Sequence, residues 1–204
     1  MTTPLEKRRY TVQDYLTFER ESPERHEYRD GAIFVMPGSS IVHSLIAANV
    51  IGQIGNRLRS KPCRVYDANL RLRIPRKVLY TYPDVTVICG PPMVDPDDSA
   101  GHTVTNPRLI VEVLSPSTEG YDRGEKFDRY RELETLQEYV LISQSAPRIE
   151  IFFRQQGGNW LFTPVSGLEN AARLNSLEIE LPLGDAYAGV EFPAETDGVV
   201  GERR

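Results

Sequence analysis

Cysteine is scarce. The 204 residues hold two, Cys63 and Cys89, far apart and outside any C-x-x-C spacing. That argues against a disulfide scaffold or a cysteine-zinc site and fits a reducing cytoplasm. Long apolar runs are missing too: none approaches the roughly 20 residues that a membrane helix needs. The opening segment "MTTPLEKRRY" is charged and lacks the apolar centre of a signal peptide. No membrane partner is therefore expected. Internal repeats and low-complexity tracts are absent, and a net charge of −5 argues against a generic nucleic-acid coat protein.

The length suits a single domain, residues 1–192, with 193–204 expected as a flexible C-terminal tail. A hydrophobic content of 40% supplies a sizeable core. The charge is uneven. Residues 1–80 carry 14 Lys/Arg against 8 Asp/Glu, whereas 81–204 carry 10 against 21. Within 57–77, "RLRSKPCRVYDANLRLRIPRK", eight cations meet one acid, Asp67. Such a stripe suits phosphate contact, through Arg57, Arg59, Lys61, Arg71 and Arg73. A charged, solvated edge strand explains it equally well.

Thr11 followed by Asp14 resembles a capping box opening a short helix to about Glu21, before Pro23. Asp30-Gly31 turns the chain into a strand, "AIFVM", and Ser40 can cap a helix over 41–59. From Tyr66 to Ile74 the period becomes two: Tyr66, Ala68, Leu70, Leu72 and Ile74 on one face, Asp67, Asn69, Arg71 and Arg73 on the other. This predicts one half-buried strand with a cationic second face, on which Asp67 pairs with the arginines. Strands follow around 82–89 and 108–114, separated by a polar loop, 90–106. A helix is expected at 122–136, then strands in "EYVLI", "RIEIFF" and "NWLFTPV", and a final strand and short helix within 176–192. The order indicates an α+β fold: a mixed central β-sheet flanked by helices.

The segment "LIVEVLSPST", 109–118, reads as a fully buried strand broken by Glu112, on the face of Ile110 and Leu114. A carboxylate is rarely buried unless paired or bound to a metal. Asp84, after Pro83, opens another apolar strand, Val85 to Cys89. Two adjacent strands would aim both acids at one point, raising a pKa or holding a cation. Carboxylate oxygens suit Mg²⁺ or Mn²⁺. A buried ion pair between Glu112 and an arginine is the alternative. Pro96-Asp97 runs into a loop and is set aside.

Pro83-Asp84 on one strand and Glu112-Val113 on the next resemble the PD-(D/E)XK nuclease superfamily, which implies a restriction-endonuclease-like core. The strings "YTVQDYL", "HEYRDGAIFVMP", "YPDVTVI", "PRLIVEVLSPST" and "YDRGEKFDRYRELETLQEYVLI", in that order over 10–155, resemble the Uma-type restriction-endonuclease family. The superfamily's lysine two residues past the acid is missing, and Leu114 stands there. The Uma-type family is similar in this, which moves the lysine to the next helix as Lys126. There Asp122 and Glu125 can form a capping box, with Lys126 in the first turn, where the macrodipole disfavours a cation. A partner of Asp122 or Tyr130 on a solvated face is the plainer account of Lys126.

The resemblance implies a Mg²⁺-dependent (or Mn²⁺-dependent) endonuclease acting on DNA and leaving a 5′-phosphate. Asp84, Glu112 and the Val113 carbonyl would hold the metal, and Lys126 would position or deprotonate a water. Glu27, an acid shortly before the Asp-Gly turn, is a further catalytic candidate; a surface glutamate is its plain alternative. His43 reads as an ordinary helix residue that can point toward the cleft. Tyr130 either braces Lys126 or packs in the core. A homodimer follows by analogy, since cutting both strands needs two sites. The rivals are an inactive nuclease-fold protein that binds nucleic acid or a protein partner, and a hydrolase of a small phosphorylated molecule.

Overall fold

The computed structural model describes residues 4 and 8–192; the expected tail at 193–204 lies outside them. Helix α1, Val12–Glu21, starts as expected: the Thr11 side chain accepts from the Asp14 N–H and the Asp14 carboxylate accepts from Thr11. Strands β1 (His26–Arg29) and β2 (Ala32–Val35) form a hairpin. Its turn residues, Asp30 at φ 50° and Gly31 at φ 87°, are both left-handed, as a tight hairpin turn requires. Helix α2, Ile41–Arg57, is capped by Ser40, whose hydroxyl accepts from His43 N–H at 3.1 Å.

The chain then runs through β3 (Cys63–Asp67), β4 (Arg71–Ile74), β5 (Leu79–Thr81), β6 (Val85–Cys89), the short β7 (Thr103–Val104) and β8 (Leu109–Leu114). Three helical pieces follow without a break: α3 (Glu119–Tyr121), a π-helical turn (Asp122–Lys126) and α4 (Phe127–Tyr130). Strands β9 (Glu138–Ser143), β10 (Arg148–Arg154), β11 (Trp160–Ser166), β12 (Ala171–Leu174) and β13 (Ile179–Pro182) lead to α5 (Leu183–Ala186).

The fold is α+β, with mixed sheets. Six strands order as β11-β10-β9-β8-β6-β3, five as β2-β1-β5-β4-β7, and β12-β13 form a separate ribbon. β8 and β9 pair in parallel, which obliges a crossover; the helical stretch 119–130 provides it. All six residues of β8 are buried. Leu109, Val111 and Val113 face a core built with Ile46, Val50 and Ile54 of α2. Ile110 and Leu114 face the opposite core, with Tyr130 and Tyr139. A third cluster joins α1 to the smaller sheet through Tyr15, Tyr28, Ile33 and Tyr80. Among the described residues no helix is long and apolar enough to cross a membrane.

Two expectations are corrected, and one strand was not foreseen. The single strand over Tyr66–Ile74 is two strands in different sheets. Asp67 accepts from the Asn69 N–H at 3.0 Å and its carbonyl from the Leu70 N–H, so an Asx turn breaks the alternation. The polar-looking "HEYR" is a buried strand, β1, since its charged groups find partners inside. Cys63 and Cys89 are disulfide-bonded. Antiparallel pairing of β3 with β6 sets them directly opposite, a neighbourhood their distance in the chain does not reveal.

Candidate active site

The backbone ladder between β6 and β8 runs from Val87↔Leu109 to Val85↔Val111 and stops. One step further would set Asp84 opposite Glu112, two acids across a strand pair, which repel. The ladder ends there instead. The Asp84 side chain takes over from the backbone and accepts the Val113 N–H at 2.7 Å. A strand residue's N–H and C=O point to the same side. The Val113 carbonyl is therefore also turned toward Asp84. Where the strands part, a cleft of about 610 Å³ opens, lined by Glu27, His43, Asp84, Glu112, Val113 and Lys126 among others.

Glu112 is buried and held from the helical side. Lys126 Nζ lies 2.8 Å from its Oε1, and the Tyr130 hydroxyl donates to the same oxygen at 2.7 Å. Lys126 also lies 3.3 Å from Asp122 Oδ1. Tyr130 packs in the core, and its hydroxyl goes to Glu112 instead of bracing Lys126 directly as the other reading had it. The expected capping box of Asp122 and Glu125 is not formed. The helical stretch begins a turn earlier, and Asp122 is a buried member of the charge cluster. A π-helical turn widens the coil and leaves a carbonyl without its usual partner; the Tyr139 hydroxyl donates to the Asp122 carbonyl at 3.0 Å.

Glu27 is no surface glutamate. It is buried on β1, accepting from the Thr81 hydroxyl at 2.8 Å and the Tyr121 hydroxyl at 2.7 Å. His43, at the start of α2, puts Nε2 3.1 Å from Asp84 Oδ2. Sequence reasoning gave it as an ordinary helix residue that can point toward the cleft, which it lines. Its signal was the third position after a Ser cap, which points a side chain back over the helix start.

Burial pushes the Glu112 carboxyl up to about 8; Lys126 opposes this, and the nearby charges of Asp84 and Asp122 add to it. Burial alone would pull Lys126 down, but Glu112, Asp122 and Glu27 outweigh it and hold its amine well above the ordinary range. Lys126 is therefore a cation here. The helix dipole, which disfavours a cation near a helix start, is outweighed by the neighbouring acids Glu112, Asp122 and Glu27. His43 is likewise raised: burial works downward, and the Asp84 hydrogen bond and charge overcome it.

Folding splits the cationic stripe: Arg59, Arg64, Arg76 and Lys77 stay exposed, while others pair with acids or carbonyls. Arg71 is buried, 2.8 Å from Asp98, and its Nε donates to Thr103 at 2.7 Å. Arg73 pairs with Asp95 and Asp97, so neither arginine meets Asp67 as expected. Arg57 bonds Asp185 at 3.1 Å, and Lys61 donates to the Leu177 carbonyl at 2.6 Å. Arg59 is exposed and donates to Asn56 at 2.9 Å. None of these five lines the cleft, whose cationic residues are Arg25 and Lys126. The turn at 67–70 explains this: it sends β4 into the other sheet, beside the acids of 95–98.

Among the described residues, no group of three or more His, Cys, Asp or Glu is arranged to hold a metal ion. The donor chemistry nonetheless fits a hard divalent ion. Mg²⁺ uses one or two carboxylates and keeps several waters, without needing an all-protein cage. Asp84 Oδ1 and Glu112 Oε2 accept no hydrogen bond from the described residues, while the companion oxygen of each is engaged. The Val113 carbonyl is turned the same way, within reach of His43, so the two carboxylate oxygens and this carbonyl gather at the parting of β6 and β8.

A family model, Uma2, described as "Putative restriction endonuclease", matches residues 12–184. An uncharacterized protein of the cyanobacterium Synechocystis sp. is 35% identical over 180 residues, 88% of this chain and 92% of that protein. A second from the same organism is 35% identical over 161 residues, 79% of this chain and 89% of that one. The fold is similar to the crystal structure of a protein titled a "putative nuclease belonging to DUF820" from Anabaena variabilis. The TM-score is 0.68 at 19% identity, over 87% of this chain and 97% of that one.

Proposed function

The chain belongs to the Uma2 family, and from that premise we propose that it is a metal-dependent endonuclease hydrolysing phosphodiester bonds in DNA. One observation carries the reading. Two acids, Asp84 and Glu112, meet where a backbone ladder breaks open onto a cleft, each with one oxygen unclaimed by protein donors. Bound Mg²⁺ or Mn²⁺ would polarise a phosphodiester and supply an activated water at neutral pH.

The chain's own residues do the rest. Asp84, Glu112 and the Val113 carbonyl would hold the ion. The Val113 N–H pins one Asp84 oxygen, and Tyr130 pins one oxygen of Glu112. Lys126, a cation held by three acids, fits the role of orienting a water or countering phosphate charge, and not that of a base. Glu27 is held close enough for its charge to be felt at Lys126, and suits the task of keeping that amine protonated and aimed. A homodimer would supply one site per strand. The proposed compartment is the cytoplasm, where DNA lies; the paired cysteines no longer argue for it.

A second reading, an inactive nuclease-fold protein that binds nucleic acid or a protein, is favoured by one fact: Lys126 already closes on Glu112 and Asp122. Plasmid and single-stranded DNA should be offered to wild type and Lys126→Ala with Mg²⁺, Mn²⁺ or EDTA. Metal-dependent nicking lost in the variant supports the nuclease. Salt-sensitive binding without cleavage supports the second reading.

A further inference from the structure

Asp84 is not held by the sheet alone. We propose that His43 is a positioning residue for the site: it fixes the Asp84 carboxylate so that Oδ1 is the oxygen offered to the cation. This rests on the metal-dependent reading above and goes beyond it, since that reading says nothing of what orients Asp84.

Asp84 Oδ2 is gripped from two directions, by the Val113 N–H at 2.7 Å in the plane of the sheet and by His43 Nε2 at 3.1 Å from α2. Two donors on one oxygen stop the carboxylate from turning about its last bond, so the other oxygen faces the cleft by default. One donor would leave that rotation free. His43 is itself firmly set. Ser40 caps α2 through the His43 N–H, and the Ser40 hydroxyl donates to Gln144 Oε1 at 2.8 Å. Gln144 in turn donates to the Leu114 carbonyl at 2.8 Å, two residues past Glu112. The first turn of α2 is thus tied to the strand that carries the other acid, and Asp84 and Glu112 are held in one frame. The imidazole is mostly enclosed, and its Nδ1 is buried with no hydrogen-bond partner. A histidine kept only for packing would be replaceable by an apolar ring; this one turns Nε2 to the Asp84 carboxylate and also lies within reach of the Val113 carbonyl. Residues that orient a metal ligand from behind typically change affinity or activity by 10- to 100-fold when removed.

The test is a calorimetric Mn²⁺ titration of the full chain as wild type, His43→Ala, His43→Gln and Asp84→Asn, with plasmid cleavage at saturating Mn²⁺ alongside. Wild type should bind Mn²⁺, and Asp84→Asn should not. His43→Ala should bind about 10- to 100-fold more weakly, with KM for DNA unchanged and kcat lowered. His43→Gln, whose amide can donate to the same oxygen, should recover most of the affinity. Thermal melts should show all four folded. If His43→Ala binds Mn²⁺ as wild type does, or if Gln fails to rescue a folded protein, the positioning role is overturned while the metal reading stands. If wild type binds no Mn²⁺, the metal reading fails, and this role falls with it.

Discussion

Arg71, Arg73, Asp95 and Asp98 form one cluster of buried charge; Asp84, Glu112, Asp122 and Lys126 form another. In the first, both acids are fully engaged, although Arg73 Nε is buried with no hydrogen-bond partner among the described residues. Asp98 accepts from Arg71, the Thr103 hydroxyl and the N–H groups of Ala100 and His102. Asp95 accepts from Arg73, the Tyr80 hydroxyl and the Asp97 N–H. Burial would raise Asp98, yet Thr103 and Arg71 bring it down to about 2. The second cluster is open. Acids outnumber the one lysine, two oxygens find no donor, and Glu112 is driven the other way, to about 8. Glu112, Asp122 and Lys126 are as buried as Arg71 and Asp98, so burial of the charges alone is not the difference, although the second cluster borders a cleft. What differs is whether the charges balance within the protein. A balanced cluster holds the fold; an unbalanced one at a cleft is a site waiting for a cation or substrate.

The largest effect that would sharpen this contrast is on stability. Asp98→Ala strands Arg71 and should cost about 3–5 kcal/mol, roughly a 10 °C fall in melting temperature for a chain of this size. A melt unchanged within a degree or two would break the comparison. Next comes Asp84→Asn. It should lower metal-dependent cleavage by two to three orders of magnitude, as expected when several kcal/mol of metal-derived stabilisation are removed. Its melting temperature should stay near wild type or rise, because a repulsion is relieved. A variant that unfolds instead would make Asp84 a member of the structural class.

Two pH experiments probe the clusters more finely. Glu112 has its folded pKa raised, so without metal its contribution is greatest below the ordinary carboxylate range and falls as pH rises toward about 8. Bound metal needs the ionised form, so Mn²⁺ affinity should climb by up to roughly tenfold per pH unit from 6 to 8. A flat titration curve there would contradict this. Asp98 is depressed, so its contribution is complete above about 4 and is lost as pH falls toward 2. Urea melts of wild type and Asp98→Asn should therefore converge at low pH, by at most roughly 2 kcal/mol. Curves that stay parallel from pH 5 to 2.5 would remove Asp98 from the account.

Helix α1 with its Thr11 cap, the Asp30-Gly31 turn, Ser40 before α2 and the buried run of β8 were legible because each depends on neighbours in the chain. Capping, left-handed turns and hydrophobic periodicity act over a few residues. Glu112 stood out for the same reason, as a charge within an apolar run, and its face followed from the period of two. Asp84 stood out as an acid opening an adjacent apolar strand, whereas Lys126 and Glu27 were named by family resemblance. Asp84 and Glu112 line one cleft; that Glu27 is buried at the same cleft was not legible from its charged surroundings.

The errors have the opposite origin. Alternation from Tyr66 to Ile74 looked like one strand because an Asx turn can preserve parity while changing direction. Arg71 and Arg73 looked exposed because nothing local announced Asp95 and Asp98, some two dozen residues on. Cys63 and Cys89 looked unpaired because only antiparallel register makes them neighbours. The chain by itself determined its caps, its turns and which strand faces are apolar, since short-range sterics and hydrogen bonding decide those. Tertiary structure alone decided which charges were neutralised and which were left open, because pairing energy depends on distance in space, and folding sets that distance.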